Sequence, residues 1–220
     1  FFHLAPKKAC VSDVHKELVD FYRALKDNKG PEIHKFMSEH PNEETAYYDV
    51  RDKMNIETPL DDAKRFFYLR KTCFRGMLRY NKSGKFNIPF GRYKTYNFEE
   101  LKDEKYSKVF ENTEILNESF ENIFEKCDDP KDFIFLDPPY DSEFTDYGYC
   151  SFGKEEHARL AECFKNSKAR CMMVIGKTPM IERLYEGYIK KEYFKKYAFK
   201  IHSNRIGGEI NTTHVVITNF

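Results

Sequence analysis

Phe133-Ile134-Phe135-Leu136-Asp137-Pro138-Pro139-Tyr140 is the stretch that decides the fold. Four apolar residues in a row predict a strand buried on both faces, as in parallel sheets covered by helices on either side. Asp137 and two prolines end it, because proline has no N–H to give to a ladder. Cys171 to Ile175 (CMMVI) reads as a second buried strand. Lys8 to Ser12, Thr113 to Leu116, Tyr193 to Ile201 and His214 to Thr218 read as further strands. Helical spacing falls between them. Val14 to Leu25 places Leu18, Val19, Phe21, Tyr22 and Leu25 on one side, with Asp13 as the N-cap. Phe120 to Phe124, Glu155 to Phe164 and Pro179 to Tyr185 are shorter helices. This alternation predicts an α/β domain with a mostly parallel sheet.

The stretch from about Lys29 to Asn112 interrupts that pattern. Pro31 to Asn55 is polar and helical in pieces, Ala63 to Tyr80 has near-helical spacing, and Asn81 to Asn97 is a loop with Gly84, Pro89 and Gly91. The expected organisation is a main domain from residues 1–28 and 113–220, with residues 29–112 as an inserted lobe.

Composition narrows the class. At 220 residues and 16% aromatic content, a packed core is expected rather than disorder. No run of 18 apolar residues exists, so no membrane helix is expected. No basic-then-apolar leader opens the chain, which predicts an intracellular protein. Cys10, Cys73, Cys127, Cys150, Cys163 and Cys171 are widely and irregularly spaced, and the seven histidines are scattered. Reduced thiols and no metal site are expected.

The net charge of +1 hides an asymmetry. From Lys64 to Lys94 the chain holds ten Lys or Arg and no Asp or Glu. Phe66, Phe67, Tyr68, Phe74, Tyr80, Phe86, Phe90 and Tyr93 are interleaved with them. Cations with flat side chains among them suit a nucleic acid, although a charge run is often only a solvated face. A second basic stretch, Lys190 to Lys200, alternates with aromatics and reads as an edge strand whose lysines discourage aggregation.

Asp137-Pro138-Pro139-Tyr140 sits where ligands bind an open α/β sheet, beyond the carboxyl end of a strand. One specified tetrapeptide occurs by chance in roughly one such chain in a thousand. A plain turn explains the prolines but not the aromatic residue or the strand before it. The residues suit methyl transfer to an amino nitrogen on a planar ring. Such a nitrogen is a poor nucleophile because its lone pair is delocalised. The Asp137 carboxylate and the fixed Pro138 carbonyl can accept its two N–H bonds, and Tyr140 offers a face for stacking. The donor would be a sulfonium methyl, and no metal is needed.

With these motifs in place, the sequence resembles the Dam-type DNA adenine-N6 methyltransferases, which use S-adenosylmethionine. Besides the tetrapeptide (Asp137, Pro138, Pro139, Tyr140), residues 65–94 resemble the family's target-recognition segment, above all in RYN…G.FN.PFGRYK. Residues 11–22 resemble its second cofactor element, which makes Asp13 the ligand of the ribose hydroxyls. Residues 117–120 resemble the segment beside the cofactor's adenine, with Ser119 and Phe120 as contacts and Phe120 stacking. Tyr147 and Phe152 resemble the aromatic pair around the flipped base, and residues 213–219 the closing strand.

The resemblance covers nearly the whole chain, in order. It implies a Rossmann-like, S-adenosylmethionine-dependent sheet with an inserted, mainly helical DNA-recognition lobe, and base flipping from duplex DNA. It makes Lys71, Phe74, Arg75, Arg79, Arg92, Tyr93 and Lys94 candidates for DNA contact. Phe74 and Arg75 lie where the family wedges the stack, and Arg75 replaces an asparagine common there. The chain opens at Phe1-Phe2-His3-Leu4, which resembles the helix just after the family's glycine-rich cofactor loop, and residues before it are expected. Two functions stay open on the sequence: a site-specific adenine-N6 methyltransferase, with GATC among its candidate sites and a cognate restriction endonuclease as a candidate partner, or an inert DNA-binding relative. RNA or a protein amide as acceptor fits the recognition segment poorly.

Overall fold

A computed structural model describes residues 1–141, 151–197 and 210–220. The fold is mixed α/β. By their contacts the residues fall into two units, one of residues 1–119 and one of the described residues from 120 onward.

In the first unit β1 (Ala9–Ser12) pairs in parallel with β2 (Thr113–Leu116), from Ala9 opposite Thr113 to Ser12 opposite Leu116. Helix α1 (Lys16–Lys26) follows β1, then α2 (Gly30–Glu39), α3 (Glu44–Lys53), α4 (Pro59–Thr72) and, before β2, α5 (Lys105–Phe110). Val19, Ile33, Met37, Tyr47, Ala63, Tyr68, Leu69 and Phe110 form the centre of its core. The N-cap of α1 is His15 rather than Asp13. Asp13 instead turns its carboxylate back on the chain, Oδ1 accepting from the His15 N–H at 2.8 Å. Asp residues commonly close a local turn this way in place of a cap.

Helix α4 starts on a capping box, in which Thr58 Oγ1 accepts from the Asp61 N–H and the Asp61 carboxylate accepts from the Thr58 N–H, with proline next. It stops at Thr72, eight residues short of the helix that the spacing predicts. Cys73 is extended and bridges to Phe90, the Phe74 N–H donates to the Pro89 carbonyl at 2.8 Å, and the Gly91 N–H donates to the Thr72 carbonyl at 2.8 Å. These bonds replace the next helical turn. They require glycine at 91, where a Cβ would lie 2.6 Å from the Cys73 carbonyl oxygen. Tyr80 and Phe86 form a second bridge closer to the tip.

In the second unit the strand order is β3 (Phe133–Leu136), β4 (Arg170–Gly176), β6 (Ile210–Thr218), β5 (Ile189–Tyr197). Helices α6 (Phe120–Lys126), α7 (Lys154–Asn166) and α8 (Pro179–Leu184) accompany them. Leu160, Phe164, Met173, Ile175, Ile181, Tyr185, Val215 and Ile217 fill its core. Two expectations are corrected. Among the described residues of this unit β3–β4 is the one parallel pair, while β4–β6 and β5–β6 are antiparallel. Consecutive strands such as β5 and β6 pair antiparallel without needing a crossover helix. Strand β3 is not buried on both faces: Ile134 and Leu136 are buried, but Phe133 and Phe135 are 49% and 58% exposed. The lysine-bearing β5 ends the strand order, as its alternation predicts.

His157, on α7, is buried with neither ring nitrogen hydrogen-bonded among the described residues, and burial lowers its pKa below the ordinary 6.5. Burial lowers that of His15 as well. The unfolded chain therefore binds protons that the folded one refuses. Stability is expected to be complete above about pH 7 and to fall as pH drops below about 6.5. Urea unfolding midpoints measured from about pH 7.5 to 5.5 should show this loss. His157→Leu should shrink it, and an unchanged pH slope in that variant would contradict the assignment.

Candidate active site

The corner after β3 is built by what its residues cannot do. Leu136, opposite Met173, is the last residue of the ladder. Pro138 is buried, Asp137 is exposed, and among the described residues no group pairs with the Asp137 carboxylate. Tyr140 is 40% exposed, and its ring stands edge-on to the buried His214 of β6, with centroids 5.6 Å apart. His214 in turn stacks on Tyr193 of β5, also at 5.6 Å. The residue after the tetrapeptide, Asp141, accepts a 2.6 Å hydrogen bond from Thr178 Oγ1. Thr178 is the N-cap of α8, and its hydroxyl oxygen accepts from the Ile181 N–H. One hydroxyl thus donates to the corner and accepts from the helix, which uses both of its capacities.

Phe120, at the start of α6, meets Phe152 edge-to-face at 6.0 Å. Phe152 meets His157 perpendicularly at 4.8 Å. The second unit therefore joins Phe120 and Phe152 in one row of rings. Tyr147 lies outside the described residues.

In the first unit the turn carrying Asp13 is tied to the end of β2. The Asp13 N–H donates to the Leu116 carbonyl, Asn117 Nδ2 to the Asp13 carbonyl at 2.9 Å, and Ser12 Oγ to the Glu118 carbonyl at 2.8 Å. Asp13 Oδ1 is occupied by the His15 N–H, and among the described residues its other oxygen accepts no hydrogen bond. A half-buried carboxylate beyond a strand end fits a ribose. Ser119 closes the same unit.

The basic segment is partly compensated by acids outside it. Arg65 pairs with Glu17 at 2.9 Å, Lys64 with Asp61 at 3.6 Å, and Arg92 with Glu44 at 3.1 Å. The Arg92 pair is exposed, so its net value is small and phosphate can compete for it. Arg79 donates to Asn87 at 2.9 Å and, like Lys82 and Lys94, is exposed with no acidic partner among the described residues, while the exposed Lys85 acts electrostatically on Asp52. Lys71 lies over the Phe67 ring. Phe74 is 43% exposed, with the Arg75 guanidinium over its ring at 5.3 Å. Tyr93 is exposed, and its carbonyl accepts from Asn42 Nδ2.

A family model of the D12 class N6 adenine-specific DNA methyltransferases matches residues 1–203. The chain belongs to this family. Over its whole length the methyltransferase is 58% identical to the Type II methyltransferase M.CviBI of Paramecium bursaria Chlorella virus NC1A, covering 85% of that protein. It is 30% identical, again over the whole chain, to the Type II methyltransferase M1.LlaDCHI of Lactococcus lactis subsp. cremoris, covering 82% of it. A DNA adenine methylase of Vibrio cholerae serotype O1 is 31% identical over 80% of the chain and 68% of its own length.

Among the described residues of the methyltransferase, no three His, Cys, Asp or Glu are placed to hold a metal ion, and no helix is long and apolar enough to cross a membrane. Sequence reading missed Asp141, Thr178 and His214. Thr178 carried a usable signal, since threonine before proline marks a helix start. His214 carried none, because its contact with Tyr140 arises from the β4–β6 register. Thr178→Val should lower unfolding free energy by about 1–2 kcal/mol through loss of the cap and the Asp141 bond. Denaturant melts of the two proteins measure it, and equal midpoints would show the bond to be idle.

Proposed function

We propose that this adenine-specific methyltransferase moves the methyl group of S-adenosylmethionine to the N6 nitrogen of an adenine swung out of a short duplex site, with GATC as one candidate sequence. The observation that carries the reading is the exposed Asp137 carboxylate at the end of β3, unpaired among the described residues, followed by Pro138, Pro139 and the half-exposed ring of Tyr140.

S-adenosylmethionine supplies an electrophilic methyl carbon on a positively charged sulfur. Asp137 and the Pro138 carbonyl accept the two N–H bonds of the adenine amino group and draw its lone pair out of the ring plane. Taking up that methyl group would place positive charge on the adenine nitrogen, and the Asp137 carboxylate beside it would stabilise this charge until the nitrogen releases one proton to solvent. Fixed acceptors at that nitrogen stabilise the developing charge without reorganising. Tyr140 stacks on the base, with Tyr147 and Phe152 as the other walls of its pocket. Asp13 takes the ribose hydroxyls, and Ser119 and Phe120 contact the cofactor's adenine.

Residues 1–28 and 113–220 form the catalytic part in this reading, and residues 29–112 the inserted lobe that reads DNA. Lys71, Phe74, Arg75, Arg79, Arg92, Tyr93 and Lys94 are its contacts. Arg79 and Lys94 offer uncompensated charge to phosphate or to guanine. The enzyme works inside a cell with access to DNA, and the relatives named Type II methyltransferases make a cognate restriction endonuclease a natural partner.

Labelled S-adenosylmethionine should mark duplex DNA as N6-methyladenine, and should leave RNA and protein amides unmarked. Asp137→Ala should lower kcat at least about a hundredfold while DNA affinity stays within about twofold. Normal turnover in that variant would remove Asp137 from the chemistry. Absence of transfer by the unaltered enzyme would favour the inert DNA-binding alternative.

A further inference from the structure

Next to Asp13 lies a cluster that the proposed chemistry does not use. The Tyr80 hydroxyl sits 2.8 Å from His15 Nε2 and donates to the Glu17 carboxylate. Glu17 is held from its other oxygen by Arg65 at 2.9 Å. His15 and Tyr80 are buried, and Glu17 and Arg65 nearly so. The four residues come from the turn after β1, the first turn of α1, helix α4 and the basic segment.

Proton accounting gives the cluster a direction. A phenol has one proton, and an ionised carboxylate can only accept. The Tyr80 proton therefore goes to Glu17, and His15 Nε2 must donate to the Tyr80 oxygen. That fixes the tautomer and orientation of the His15 ring. The backbone N–H of the same residue donates to Asp13 Oδ1 at 2.8 Å, and its carbonyl accepts the first bond of α1, from Val19. The position of His15 thus sets where the Asp13 carboxylate points. Tyr80 also stands at the root of the basic turn: it bridges to Phe86, and the next residue closes the turn with the Asn81 N–H donating to the Lys85 carbonyl at 2.9 Å.

We propose that Tyr80 is a positioning residue for the cofactor, holding the Asp13 carboxylate in its ribose-binding orientation through the His15 ring while anchoring the basic turn of residues 81–85. The inference rests on the reading of Asp13 as the ribose ligand. It makes the root of the recognition segment a determinant of cofactor affinity, although Tyr80 touches no cofactor itself.

The test is a double-mutant cycle on S-adenosylmethionine binding, followed by calorimetry on the purified enzyme without DNA. Tyr80→Phe, which keeps the ring and drops the hydroxyl, should raise Kd about tenfold. Asp13→Asn should also raise it. In the Asp13→Asn background Tyr80→Phe should add less than about twofold, because its effect runs through Asp13. A merely structural role would lower the melting temperature and give the same fold loss in both backgrounds. Wild-type affinity in Tyr80→Phe beside a weakened Asp13→Asn overturns the inference alone, as do losses that multiply. Wild-type affinity in Asp13→Asn overturns the ribose reading and the inference with it. If Tyr80→Phe does not fold by circular dichroism, His15→Gln cuts the same link from the other side and must show the same non-additivity.

Discussion

Two adjacent prolines cannot donate to a β ladder, and the chemistry proposed for this enzyme depends on that incapacity. Strand β3 ends at Leu136 because Pro138 and Pro139 have no N–H to extend the pairing with β4. Asp137 is therefore the first residue released from the sheet, and its carboxylate is left without a partner among the described residues. A free carboxylate on a mobile loop would be of little use. Here the chain is caught again four residues later, where Asp141 accepts from Thr178, and Tyr140 between them is backed by His214. The tetrapeptide is thus a short span fixed at both ends. Acceptors held in this way need no reordering when charge develops on a nitrogen between them.

The basic segment follows a comparable division of labour. Its cations are not equivalent once folded. Arg65 is used internally, paired with Glu17 in a nearly buried cluster, and Lys64 is paired within the first turn of α4. Arg79, Lys82 and Lys94 stay exposed without an acidic partner among the described residues. Charge that organises the fold therefore sits at the helical start of the segment. Charge available to a polyanion collects on the turns after α4. A count along the sequence cannot separate these two uses, because two of the compensating acids are distant in the chain: Glu17 lies on α1, and Glu44 on α3.

What the sequence made legible, and what it hid, divides along the same line between local and non-local causes. Apolar runs located β3, β4 and β6, and helical spacing located α1, because side-chain periodicity is a local property. Thr113–Leu116 was readable to the residue. The end of α4 was not, because it is imposed from the far side of the loop: the Pro89 carbonyl and the Gly91 N–H bond to Phe74 and Thr72. The exposure of Phe133 and Phe135 was equally hidden, since four apolar residues in a row look alike whether one face or both are covered. Asp13 was read as the cap of α1, but it closes a local turn and His15 is the cap. The tetrapeptide corner was legible as the end of a strand, but its supports Thr178 and His214 come from the start of α8 and from β6.

The pairing that cuts α4 short also explains the backbone around it. Arg75 and Arg92 both adopt left-handed conformations, with φ of 56° and 54°. For a side chain larger than glycine this costs about 1 kcal/mol each. They stand on either side of the Cys73–Phe90 bridge, two residues beyond it on each strand. Neither would hold that conformation alone. The bridge, the Phe74 and Gly91 hydrogen bonds and the buried Cys73, Phe86 and Ile88 fix the chain before and after them and offset the strain. The strained residues are exposed arginines in the segment with the strongest uncompensated charge, next to the exposed rings of Phe74 and Tyr93. A conformation imposed by pairing is already formed before any partner arrives. The ordering entropy that a flexible basic loop would lose on binding has then been spent during folding. In the proposed reading of this segment as the part that reads DNA, that favours discrimination among sites over indiscriminate attraction to phosphate, because side chains on a fixed backbone cannot readjust to a wrong base.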